Sequence, residues 1–281
     1  MAHLPSSSAT GNPGEDFRRW LHRAHAPAHS RRTAAINAAF FLPLLRPGMR
    51  LLDAGCGPGS ITVGLAEAVA PAEVVGIDVN PDAIAAAHRM AADRAVSNVR
   101  FEVADIHAMP FSADSFDAVF VHAVLQHVPD ATRTLRHLRR ALVPGGVIGI
   151  ADADYDGSII APRSPALRKA IALMRKVRQH SGGDLRVGSK LRHSLVEAGF
   201  VGVTGSTTAA CEGTADATRA TGDFWAAYYS APELVAHVTA MGWATEAELA
   251  AVSRAWRDWG RHPGAFWARF LCQAVGRAPT G

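Results

Sequence analysis

From Met49 to about Asp154, short apolar runs alternate with segments whose apolar residues recur every three or four positions. The runs Arg50–Ala54, Glu73–Asp78, Val99–Ala104, Phe116–His122 and Val147–Asp152 predict five strands. Between them the spacing predicts helices over Ser60–Val69, Pro81–Ala95 and Ala131–Leu142. Pro81 stands where a first helical residue belongs, with Asn80 before it as cap, and Gly145 and Gly146 are expected to end the third helix. Such alternation implies a parallel, doubly wound sheet. After Asp154 the rhythm breaks. Helices are expected at Pro165–His180 and Ser189–Ala198, a strand at Val201–Thr207, and a helical stretch from Thr214 to Pro263. A closing strand is expected at Ala265–Val275, where Phe266, Ala268 and Phe270 alternate with Trp267, Arg269 and Leu271. The expectation is a mostly parallel, seven-stranded α/β sheet. Helices inserted this late lie near the carboxyl ends of the strands, where ligands bind, and they read as a lid over a substrate cavity.

Residues 1–14 are rich in Ser, Pro and Gly and read as a disordered tail. Residues 15–48 read as a helical lead-in, interrupted by the loop-like HAPAHS. Residues 49–154 then form a cofactor-sized core, and residues 155–281 add the lid and the last strands of the same sheet, in one domain overall. With 281 residues, 48% hydrophobic and 19% charged, the chain has the composition of a soluble globular protein with a sizeable core. A formal charge of +4, with no Lys/Arg runs interleaved with aromatics, argues against a nucleic-acid groove. Cys56, Cys211 and Cys272 are isolated, so neither a zinc site nor a disulfide framework is expected. No apolar run reaches membrane-spanning length, and the amino terminus lacks a signal-peptide core, so a cytoplasmic protein is expected.

The segment LLDAGCGPGS, Leu51 to Ser60, carries the most chemistry. It reads as an apolar strand, then a turn in which Gly55, Gly57 and Gly59 allow tight folding and close approach of a ligand to the backbone. A glycine turn between strand and helix marks nucleotide-type cofactors. The dinucleotide pattern, however, needs Gly or Ala where Ser60 stands, and it does not include Asp53. These departures point away from NAD and towards another adenosine cofactor.

The stretch Asp53–Gly59, the acids Asp78 and Asp105 and the LVPGG segment (Leu142–Gly146) together resemble a class I S-adenosylmethionine-dependent methyltransferase. The likeness is to the UbiE-like branch that acts on small molecules, and it covers about Leu51 to Asp152. It implies a Rossmann-like fold and S-adenosylmethionine as cofactor. By the resemblance, the backbone of Gly55, Gly57 and Gly59 approaches the methionine portion. Asp78, followed by Val79, accepts from both ribose hydroxyls; Asp105 accepts from the adenine amino group, with the amide of Ile106 facing the ring. His122 contacts the cofactor through its backbone. Asp53 either organises the glycine turn or reaches the methionine amino group. Asp117 is expected to fix the entrance of its strand.

The acceptor side is less determined. His127 suits a general base near neutral pH, or a packing and capping role; Gln126 beside it is equally open. In ADADYDG, taken as a loop leaving the fifth strand, Asp152, Asp154 and Tyr155 either orient a polar substrate and take its proton, or are solvated acids and a packed ring. Phe224, Trp225, Tyr228 and Tyr229 either line an apolar pocket or form one packed helix face. His22, His25 and His29 are interrupted by Pro27 and lack an acid cluster, so no metal is expected. His29, Arg31 or Arg32 would instead reach the cofactor carboxylate. The expected function is methyl transfer to O, N or C of a small, partly apolar metabolite, with no nucleic-acid or membrane partner and a homo-oligomer left open. The alternatives are aminopropyl transfer or a cofactor-assisted rearrangement on the same fold, or a cofactor-binding regulator.

Overall fold

The computed structural model describes Phe17, Trp20 and residues 32–280. Strands β1 (Leu51–Ala54), β2 (Val74–Asp78), β3 (Val99–Val103), β4 (Phe116–His122), β5 (Leu142–Ala161), β6 (Val201–Glu212) and β7 (Phe266–Arg277) form one sheet, in the order β3-β2-β1-β4-β5-β7-β6. The first five are parallel to one another, and β7 runs antiparallel to both β5 and β6. Helices α1 (Ala34–Asn37), α2 (Thr62–Val69), α3 (Pro81–Asp93) and α4 (Ala131–Ala141) accompany the parallel part. Helices α5 (Pro165–His180), α6 (Leu191–Glu197), α7 (Ala215–Ser230), α8 (Pro232–Ala240) and α9 (Glu246–Arg261) follow it. The expected tail at residues 1–14, and the lead-in before residue 32 apart from Phe17 and Trp20, lie outside the described residues.

The inner parallel strands β1 and β2 read as apolar runs because both of their faces are covered, whereas β3, at the sheet edge, alternates. All four residues of β1 are buried, as are the first four of β2. Capping follows the local sequence. Asn80 Oδ1 accepts from the amide of Asp82 (2.9 Å) with Pro81 at the first helical position, as expected. Asp130 and Ser164 cap α4 and α5 in the same way, and Thr245 with Glu248 forms a reciprocal capping box on α9. Asp117 takes its expected place. It accepts from the Arg50 backbone amide (2.8 Å) and from the Arg50 guanidinium, tying the start of β4 to the start of β1.

Three expectations are corrected. The fifth strand runs from Leu142 to Ala161 instead of Val147–Asp152, so ADADYDG lies within the strand and is not a loop leaving it. Its pairing with β7 shifts register between Asp154 and Ile159 and then resumes. Gly145 and Gly146 belong to this strand, and α4 ends before them, at Ala141. The sixth strand extends to Glu212, because β7 supplies pairing partners along its whole length. The Thr214–Pro263 stretch divides into three helices, broken at Ala231-Pro232 and around Gly242.

The inserted helices bring their own core. Trp225 stacks on Trp256 with centroids 5.8 Å apart, and Trp267 of β7 lies 5.5 Å from Trp256. Tyr229 donates its hydroxyl to the carbonyl of Ala170 on α5 (2.6 Å). Trp225, Tyr228 and Tyr229 of the aromatic stripe are buried, packed on one helix face, and Phe224 is half-buried. Phe17 and Trp20 join this cluster, Trp20 stacking on Tyr228 at 5.6 Å. Trp256 sits at its centre with 2% exposure. Trp256→Ala is expected to lower stability by about 3–5 kcal/mol, the usual cost of deleting a buried tryptophan. Urea denaturation measures it, and a loss below about 1 kcal/mol would mean the lid core is not packed this way.

Candidate active site

The strand order reverses between β1 and β4. The chain steps outward from β1 to β3 and then returns to lay β4 on the other side of β1. A parallel sheet opens a crevice at such a point, beyond the carboxyl ends of its strands. Both the glycine turn and the segment from His122 to His127 lie there.

The turn is strapped to β2: the amides of Gly55 and Cys56 donate to the carbonyl of Ile77 (2.8 and 2.9 Å). Gly55, Gly57 and Gly59 have φ of +87°, +54° and +76°, a region that strains side-chain-bearing residues. Their surroundings differ. A Cβ on Gly55 would stand 2.2 Å from Cγ2 of Val124, and one on Gly59 would stand 2.9 Å from Cβ of Ala87, but at Gly57 it would meet nothing within 4 Å. Gly57 alone is bare towards open space. The other two are bare so that β4 and α3 can close on the turn.

Asp78, half-buried at the tip of β2, links the parts. One of its oxygens accepts from the amide of Gly57 (3.0 Å), the other from that of Asn80 (2.9 Å). A carboxylate offers about four lone-pair sites, so roughly two remain for a diol. Asp53 is buried and accepts from the hydroxyl of Thr62 (2.6 Å). Burial pushes its carboxyl up to about 7; the Thr62 bond opposes this, and the nearby charge of Asp78 adds to it. Two carboxyl groups beneath an open glycine turn suit a ligand bearing positive charge, and S-adenosylmethionine carries both an ammonium and a sulfonium. Beyond β3, Asp105 is exposed and accepts from the amide of His107 (2.8 Å), while Ile106 is buried behind it. Val79 is 55% exposed. Cys56 is buried, and burial raises its thiol well above the ordinary range, so it is inert.

The β4 side is held as tightly. His122 is buried, 3.4 Å from the Arg32 guanidinium and 3.3 Å from the Asn37 amide. Ala123 adopts φ +57°, turning the chain into a 3₁₀ helix at Leu125–His127. Asp152, fully buried on β5, anchors that turn. One oxygen accepts from the amide of Gln126 (3.1 Å), the other from that of Ala153 (3.0 Å). Burial pushes Asp152 up to about 7, against the pull of those amides and of Arg32. Asp154 is buried too, contrary to the solvated loop acid considered above. It accepts from the amides of Asp156 and Ser189, and so holds the strand irregularity. Tyr155 is half-buried, within electrostatic reach of both Arg32 and Arg178.

Arg178 and Thr62 are the site residues that sequence reasoning missed. The Arg178 guanidinium donates to Nδ1 of His127 (2.5 Å), which places the imidazole proton on Nε2. Its signal was present: Arg178 falls four residues after Met174, on the apolar face of α5. Among the described residues no cluster of His, Cys, Asp or Glu could hold a metal ion. His22, His25, His29 and Arg31 lie outside those residues. No helix among them is long and apolar enough to cross a membrane.

Fold and glycine turn together have the architecture of the S-adenosylmethionine-dependent methyltransferase class. Residues 45–197 match the model of a methyltransferase-domain family, more than half of the chain, and the protein belongs to that family. Among curated relatives, an uncharacterised methyltransferase of Schizosaccharomyces pombe is 28% identical over 182 residues, 63% of this chain and 65% of the relative. A demethylmenaquinone methyltransferase of Staphylococcus aureus is 30% identical over 154 residues, 54% of this chain and 61% of the relative. The matched stretch thus spans less than two thirds of either relative. Among solved structures, YcgJ of Bacillus subtilis superposes with a TM-score of 0.60 at 19% identity, covering 87% of this chain and 99% of YcgJ. Phosphoethanolamine N-methyltransferase 2 of Haemonchus contortus, in complex with S-adenosylmethionine, gives 0.55 at 17% identity, covering 98% and 61%. Both show the same fold.

The Asp53 carboxyl rises from 3.8 to about 7 on folding. Between those values the native state holds a proton that the unfolded chain has lost, so this group's contribution to stability falls as pH rises through the window. Asp53→Asn keeps the acceptor for Thr62 and removes the titration. Without cofactor, its thermal midpoint should gain on that of the wild type as pH rises from about 4 to about 7. A difference that stays flat across the window would show that Asp53 is not buried as described.

Proposed function

We propose that this protein binds S-adenosylmethionine at the β1–β4 crevice and transfers its methyl group to an O, N or C atom of a small, partly apolar metabolite in the cytoplasm. The observation that carries the reading is the placement of the glycine turn, Asp78 and Asp105 at the carboxyl ends of three adjacent parallel strands, within the family-matched stretch. When bound, the cofactor supplies an activated methyl on a sulfonium, whose displacement releases a neutral thioether.

In this reading Asp78 holds the ribose hydroxyls with its unused lone pairs. Asp105 accepts from the adenine amino group, and Val79 and Ile106 lie against the ring. Gly57 gives the methionine portion its close approach, with Asp53 facing the ammonium; Gly55 and Gly59 act by letting β4 and α3 close on the turn. His122 and Arg32 stand at the tip of β4, where Arg32 is placed to meet the cofactor carboxylate. On the acceptor side, Asp152 is a positioning residue: it is fully buried and holds the Leu125–His127 turn through the amide of Gln126. His127 cannot take a proton at Nδ1, which faces the Arg178 guanidinium. Tyr155 is therefore the side chain best placed to orient the acceptor or receive its proton. Alignment of nucleophile, methyl and sulfur, with exclusion of water, carries most of the rate.

Asp78→Ala should weaken S-adenosylmethionine binding by about 1.5–3 kcal/mol, the usual worth of hydrogen bonds to a charged group. Calorimetry measures it, and an unchanged affinity with the fold intact by circular dichroism would remove Asp78 from the ribose. A labelled-methyl screen of small metabolites tests transfer itself. On the acceptor it returns, Tyr155→Phe should lower kcat by about 10²-fold while leaving cofactor affinity intact. A change of only a few-fold would leave the tyrosine with a packing role.

A further inference from the structure

Among the described residues Arg178 is the one buried arginine, 8% exposed on the apolar face of α5. Its Nη1 donates to Nδ1 of His127, and its Nε is buried with no hydrogen-bond partner. No carboxylate among the described residues pairs with it. The negative group in electrostatic reach is Asp152, which makes no ion pair with Arg178 and whose two oxygens accept from the amides of Gln126 and Ala153. Arg32 draws on the same Asp152 and the same Tyr155. Arg269, which also acts on Arg32, likewise has a buried Nε without a partner, but it pairs with Glu212 and lies over the ring of Trp267. Two guanidinium groups thus share a single carboxyl, and that carboxyl is itself held up to about 7 by burial.

A guanidinium withdrawn from water with no anion beside it is costly, and the cost is relieved when an anion arrives. Its planar donors match a carboxylate or a phosphate in geometry, with charge-assisted bonds about twice as strong as neutral ones. The surroundings fit an anion carried on an apolar body. Tyr155 and Trp20 are partly buried in the lid core, and Tyr228 sits beside them within electrostatic reach of Arg178. His127 and Tyr155, at the edge of the cluster, are half-buried.

We propose that Arg178 is the receptor for an anionic oxygen group, a carboxylate or a phosphate, on the methyl acceptor, which is therefore an anionic small molecule with an apolar or aromatic body. The assignment rests on the methyltransferase reading above and deepens it. Arg178 then acts in specificity: it fixes one end of the acceptor against the lid.

The test titrates the whole protein, with and without saturating S-adenosylhomocysteine, with benzoate, phenyl phosphate and the neutral benzamide. The expected result is at least tenfold tighter binding of benzoate or phenyl phosphate than of benzamide, and the tighter of the two anions tells carboxylate from phosphate. Arg178→Gln should abolish that preference while leaving S-adenosylhomocysteine affinity within about twofold, and Arg178→Lys should keep part of it. Should the Gln variant not fold, the Lys variant and the comparison of anion with amide on the wild type decide alone. Equal binding of anion and amide, no binding of either anion, or a preference that survives Arg178→Gln overturns the proposal. A tenfold weaker grip on S-adenosylhomocysteine in Arg178→Gln overturns it too, because the anion held would then be the cofactor's own carboxylate. If S-adenosylhomocysteine itself does not bind the wild type, the methyltransferase reading falls, while an anion preference seen without it still supports Arg178 as the receptor.

Discussion

The close approach of Val124 to Gly55 is the contact on which the site depends. Its Cγ2 occupies the place where a side chain on Gly55 would begin, 2.2 Å from the missing Cβ. That contact joins the β1 turn, which carries the cofactor-side acids, to the turn after β4, which carries the acceptor-side residues. In-line displacement requires those two halves in fixed register, and a misplacement of about 1 Å can cost 10²-fold in rate. The fold secures the register from both sides. Ile77 and Asp78 hold the glycine turn onto β2, and Asp152 holds the Leu125–His127 turn onto β5.

Buried charge is distributed to match. On the cofactor side Asp53 and Asp78 lie close enough to repel, which leaves a place for positive charge. Around the turn after β4, Arg32 and Arg178 outnumber Asp152, which leaves a place for negative charge. Neither imbalance helps the empty protein fold, since an uncompensated buried charge is destabilising. Each becomes favourable when a ligand of opposite sign arrives, so the same groups that weaken the free protein give it differential affinity for its ligands. The lid contributes a separate aromatic core centred on Trp256, which gives α5 a rigid seat from which Arg178 reaches His127.

Much of this was legible in the chain. Parallel strands covered on both faces are apolar, so β1, β2 and β4 appeared as runs, and β3 as an alternating edge strand, all with boundaries within two residues. The caps at Asn80-Pro81 followed from local chemistry, and the glycine turn with Asp78 twenty-odd residues later declared an adenosine cofactor before any coordinates did. These features depend on neighbours in sequence, and a sequence records them directly.

What the chain alone left undecided depends on partners far away along it. The extension of β5 to Ala161 and of β6 to Glu212 exists because β7, the last strand, lies between them and supplies their hydrogen bonds. The division of labour among three look-alike glycines was set by Val124, Ala87 and open space. Asp152 and Asp154 became buried anchors once ADADYDG was drawn into the sheet. Arg178 read as one more cation on a helix until α5 docked beside the β4 turn and removed it from water. The sequence by itself determined the strand rhythm and the fold class, because these follow from periodicity and local turn chemistry, and its motifs carried the resemblance that implies the cofactor. Tertiary packing alone decided which charges are buried without a counterion, because desolvation and electrostatic reach are properties of distances in space.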